Sequence, residues 1–111
     1  MFVNTGSGIP PYVIFRQALD AGDLSRIRSL AAAMPRISLQ DALRICLLMR
    51  EHNGYERAAV RWLGRFALEA RTVTIEDVQA AAAALDALPD RPDTAMERLA
   101  TVCTQCGVGT G

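Results

Sequence analysis

A chain of 111 residues is the size of one domain, and half of its residues are apolar, enough for a hydrophobic core without disulfide or metal staples. The formal net charge is zero, which excludes the general attraction to nucleic acid or an anionic membrane that a basic surplus provides. The longest apolar runs, 45–49 and 80–85, are too short to cross a bilayer.

Residues 1–9 read as a flexible leader, with neither the basic start nor the long apolar run of a secretory signal. Pro10 and Pro11 suit the first turn of a helix, where a missing N–H costs nothing. A first helix over 11–21 sets Tyr12, Phe15 and Leu19 on one face and stops at Gly22. Asp23 caps a second helix over 24–34, with Leu24, Ile27, Ala31 and Met34 at helical spacing, closed by Pro35.

Ser38 with Asp41 three residues on resembles a capping box and opens a third helix over 39–52. Leu39, Ala42, Leu43, Ile45, Cys46, Leu47, Leu48 and Met49 make this helix apolar nearly all round, which points to a central, buried place. His52-Asn53-Gly54 ends it, with Asn and Gly expected to supply a left-handed cap. The fourth helix, 55–71, carries Tyr55, Ala59, Trp62, Phe66 and Ala70 near the centre of an apolar arc. Thr74 with Asp77 repeats the capping pattern for a fifth helix over 75–88, with Ile75, Val78, Ala82, Leu85 and Leu88 toward the core. Asp93 caps a short sixth helix with Met96, Leu99, Ala100 and Cys103 on one face, and 107–111 are too glycine-rich to hold a shape.

No segment alternates as a strand does. The expected fold is all-α, five or six helices packed as antiparallel hairpins around the central third helix. It forms one helical domain over 10–106 between the leader and the tail.

All twelve basic residues are arginine. Ten of them lie in residues 1–71 against six carboxylates, and two lie in residues 72–111 against six. The two halves can attract each other within one fold. At 100° per residue, Arg57, Arg61 and Arg65 fall within about 80° of one another, opposite the apolar arc of the fourth helix. Glu56 and Glu69 are read as lying over that arc or its edge, out of reach of the ladder. An outward arginine strip suits an acidic protein partner, because planar guanidinium groups hold carboxylates bidentately.

The segment His52–Tyr55 followed by Val60-Arg61-Trp62 loosely resembles a helix-turn-helix, but Arg50 stands where that motif wants a small residue. With no positive net charge, nucleic acid is not the expected partner. Gly54-Tyr55-Glu56-Arg57-Ala58, then Trp62, with Cys46 before them, is similar to half of a tetratricopeptide repeat over about 25 residues. The proline that follows the second helix in that family is absent, and so is a second copy. Taken whole, residues 12–103, with their core stretch from Tyr55 to Arg65, resemble short actinobacterial helical proteins, a likeness that implies no activity.

Cys103-Thr104-Gln105-Cys106-Gly107 looks like one half of a zinc knuckle. Cys46 and His52 point apart on their helix and cannot complete it, which leaves zinc shared between two chains as the metal alternative. The motif follows a helix, at the dipole end that disfavours thiolate, so redox chemistry is not expected. His52, the only histidine, reads as a helix-end residue, and no catalytic set or cofactor site assembles around it. The sequence therefore implies a non-enzymatic interaction module that binds through Arg57, Arg61 and Arg65, by an acidic partner or self-association. Three cysteines without need of a disulfide suggest a reducing cytoplasm.

Overall fold

The computed structural model describes residues 10–34 and 36–108. The expected leader, the stop at Pro35 and residues 109–111 of the expected tail lie outside the described residues. The described residues are all-helical: α1 (Pro11–Ala21), α2 (Leu24–Ala33), α3 (Leu39–Leu48), α4 (Tyr55–Glu69), α5 (Ile75–Ala87) and α6 (Pro92–Gln105). The contacts divide the chain into two compact units, 1–37 and 38–111.

In the first unit α1 and α2 pack against each other. Gly22 reaches φ +71°, a conformation open to glycine at no steric cost, and the next N–H, from Asp23, bonds back to Ala18 O at 3.2 Å. Asp23 then accepts from Arg26 N at 3.1 Å, so one short turn both ends α1 and starts α2. Phe15, Ala18, Leu19 and Ile27 are buried.

In the second unit the extensive contacts join α3 to α4, α4 to α5, and α5 to α6. The all-round apolar pattern of α3 points to that helix as the centre; within residues 38–108 α3 packs extensively on α4 alone, and the helices packed on two neighbours are α4 and α5. Three α3 residues, Leu39, Leu43 and Cys46, enter a core shared with Ala59, Trp62 and Phe66 of α4. Ala81, Ala84, Leu85 and Leu88 complete it from the α5 side, and Ala95, Leu99, Val102, Cys103 and Cys106 from the α6 side.

Ser38 Oγ accepts from Asp41 N at 3.1 Å, as the capping pattern predicts. The Thr74–Asp77 box closes in both directions, at 2.9 and 3.1 Å. Other expectations shift. Helix α3 ends at Leu48 rather than 52, and Arg50 folds back so that its guanidinium donates to Leu47 O at 2.9 Å. No left-handed cap forms at Asn53-Gly54: Gly54 has φ −82°, and a Cβ there would sit 3.0 Å from the end of the Met49 side chain. Helix α4 stops two residues early, at Glu69. Helix α6 starts at Pro92, its φ already suited to a first turn, with Arg91 and not Asp93 at the N-cap.

Two core assignments also move. Ile75 is 77% exposed, and Val73, one residue before the cap, packs on the core instead. The buried arc of α5 centres on Ala81, Ala84, Leu85 and Leu88, about 130° round the helix from Ile75. On α6, Ala95 is buried where Ala100 was expected, and Ala100 faces solvent.

Candidate functional site

Two side-chain hydrogen bonds fix the rotation of α4. Trp62 Nε1 donates to Leu39 O at 2.8 Å inside the core. The Tyr55 hydroxyl, at the other end of the dry face, donates to Leu85 O. Burial, with Cys46 and Asp86 nearby, pushes the Tyr55 phenol up to about 12, so it stays a donor. Trp62 and Phe66 lie with centroids 5.6 Å apart and planes 6° from parallel, a stacked pair filling the seam against the core.

With that face buried, the arginine ladder points outward, but it is not uniform. Arg57 and Arg61 are exposed, and neither has a hydrogen-bond or ion-pair partner among the described residues. Arg65 is half-buried and held by Glu69, Nε to Oε2 at 2.7 Å and Nη2 to Oε1 at 3.3 Å. The expectation that Glu69 stands out of reach is thus corrected. Residues four apart on a helix lie only about 40° apart, and a bidentate pair forms at that spacing. The chargeable strip consists of two arginines, one turn apart.

Three residues that sequence reasoning did not single out complete this face. Val60 is 64% exposed and Leu68 is 88% exposed. Gly64 lies midway between them, with nothing within 4 Å of where a Cβ would project. Asn53, Glu56, Arg57, Val60 and Arg61 line one shallow depression there. On the far side of Val60, Tyr55, Ala59, Leu63, Ala82, Leu85 and Pro89 floor a trough between α4 and α5, with Glu56 and Asp86 on its rim. The spacing of four between Val60, Gly64 and Leu68 was the signal available, masked because Val60 reads as the flank of the apolar arc.

The cysteines sit elsewhere and do different work. Cys46, Cys103 and Cys106 are all buried and unpaired by disulfide. Burial pushes Cys46 and Cys103 up to about 11, and raises Cys106 as well. The Cys106 thiol hydrogen-bonds the Asp77 carboxylate, whose pKa is lowered first by the Thr74 N–H and then by the Thr74 hydroxyl. Cys106 O accepts from Arg71 N at 2.9 Å and Thr72 N at 3.2 Å. The C-x-x-C segment is therefore a structural node that ties the end of α6 to the α4–α5 link and the α5 cap. Among the described residues no group of three or more His, Cys, Asp or Glu is placed to hold a metal. A zinc ion shared between chains needs both thiols at the surface, and Cys106 is 1% exposed. His52 is exposed in the α3–α4 turn.

Gly107 closes the node. The shapeless tail expected from this residue does not begin here: Gly107 takes φ +70°, and Val108 N bonds Cys103 O at 3.0 Å. A Cβ on Gly107 would meet three Arg71 side-chain carbons at 3.1–3.3 Å. Gly107→Ala is expected to destabilise the fold by about 1–2 kcal/mol, from left-handed strain together with crowding. Urea unfolding measures it, and a neutral effect would mean that the cap is not a required part of the fold.

No family model, curated protein or solved structure matches the chain. No helix among the described residues is long and apolar enough to cross a membrane.

Proposed function

We propose that this protein is a non-enzymatic interaction module that captures an acidic protein partner on the outer face of α4. The observation that carries the reading is the pair of exposed guanidinium groups, Arg57 and Arg61, without carboxylate partners among the described residues. They are mounted on a helix whose rotation is locked by Trp62 and Tyr55. A rigid mount matters because contacts then form without ordering the backbone first. Arg65, already satisfied by Glu69, supports the face and contributes less charge.

A pull-down from the native cell extract, with the captured proteins identified, tests this. Arg57→Glu/Arg61→Glu is expected to weaken capture by roughly thirtyfold to a thousandfold, from about 1–2 kcal/mol for each of the two lost charge pairs. The melting temperature should stay within a degree or two, since neither side chain is packed. Arg65→Glu should weaken capture less than the double reversal does. Identical captured proteins for wild type and double reversal would remove the reading.

A further inference from the structure

Resting on that reading, we infer that the partner presents an amphipathic acidic helix, which lies along α4 and seats a large apolar side chain over Gly64, between Val60 and Leu68. Three observations combine to give this. Val60 and Leu68 are the most exposed apolar residues of α4, two turns or about 12 Å apart, and water gains nothing from either. Gly64 between them weakens an exposed helix interior relative to alanine, and no intramolecular contact requires it, since a Cβ there would meet open space. Glycine does leave a notch, and a crossing helix can approach closely only where such a side chain is missing. The third observation is charge: Arg61 lies about one turn before Gly64 and Arg57 about one turn further along the same face, neither with a partner among the described residues, so the approaching helix carries carboxylates one to two turns from its apolar residue.

The same charges argue against a parallel second copy of α4 as occupant: each arginine would face its own counterpart, and like charges in apposition destabilise that arrangement.

The test is selection of a displayed library of helical peptides on the full-length chain. The best peptide is then synthesised and its affinity measured by fluorescence anisotropy for wild type, Gly64→Leu and Arg57→Glu/Arg61→Glu. The expected winners carry Leu, Phe or Met one to two turns from Asp or Glu. Gly64→Leu should raise the melting temperature by a few degrees, because leucine favours helix and meets open space, while weakening the peptide at least tenfold. Fold and binding then move in opposite directions, which a merely damaged protein cannot show. If the arginine reversals abolish binding and Gly64→Leu does not, the seat over Gly64 is wrong and the acidic-partner reading stands. If the reversals leave binding intact, the reading itself falls. Winners without acidic residues, no enrichment at all, or self-association that Gly64→Leu abolishes would each overturn the inference.

Discussion

Replacing Trp62 by alanine is expected to cost about 3–5 kcal/mol of folding stability, the largest effect of any single side chain in the second unit. Trp62 is 2% exposed, stacks on Phe66, and sends its indole N–H to Leu39 O at 2.8 Å. Removing it opens a cavity at the meeting point of α3 and α4 and breaks a buried side-chain bond between them. A domain of this size has about 5–15 kcal/mol in total, so most of its margin would go. Trp62→Phe keeps much of the buried area and loses the hydrogen bond; about 1–2 kcal/mol is expected for it. Urea unfolding followed by circular dichroism reads both, and the indole fluorescence of wild type gives an independent probe. A loss below about 1 kcal/mol for the alanine variant would show that the dry face of α4 has been misplaced, and with it the outward face on which the proposed function depends.

At pH 8 the folded protein's thiols are expected to react with a soluble thiol reagent at least about a hundredfold more slowly than those of the denatured chain. The reactive species is the thiolate, and a pKa moved from 9.0 to about 11, as for Cys46 and Cys103, lowers its population about a hundredfold before any steric hindrance. The same shift has a thermodynamic consequence. A group whose pKa is higher folded than unfolded holds its proton more tightly in the fold. Its contribution to stability is complete below about pH 9 and fades as pH rises through about 11. Stability should therefore decline on the alkaline side across that window, and Cys46→Ala/Cys103→Ala should flatten the decline. Fast reaction of Cys103 and Cys106 in the native protein would put them at the surface, where a shared zinc site requires them.

Much of the fold was legible because the chain marks its own helix boundaries. Asp23, Ser38 and Thr74 are caps whose chemistry acts within three residues, and each forms the predicted bond. Gly22 ends α1 for an equally local reason. The rotation of α5 was not legible in the same way. Residues 80–84 offer five consecutive alanine side chains, which give almost no apolar contrast, so the neighbouring helices decide which of them is buried. Ile75 was drawn inward on hydrophobicity alone, although at the first helical position its direction is set by the cap geometry.

The candidate site was largely legible. Spacing gave Arg57 and Arg61 their outward direction. The same spacing, four residues from Arg65 to Glu69, already allowed the pair that ranks Arg65 below them. At 100° per residue Leu68 falls between Arg57 and Arg61 around the helix, so its exposure was legible from the same spacing. The cysteine motif carried two readings in the sequence: its spacing suits half a metal site, and Cys103 also falls on the apolar face of α6, where it is buried with Cys106.

The way the helices pair also bears on how fast the molecule forms. Every extensive helix contact joins consecutive helices. Little chain has to be drawn into large loops before contacts begin to compensate, and such topologies assemble in microseconds to milliseconds. A longer reach is that of the Cys106 carbonyl, which must travel back across 35 residues to meet the N–H of Arg71. Closing that long loop belongs to the end of the process, when the four helices after Ile37 cease to be a string of neighbours and become one cooperative object.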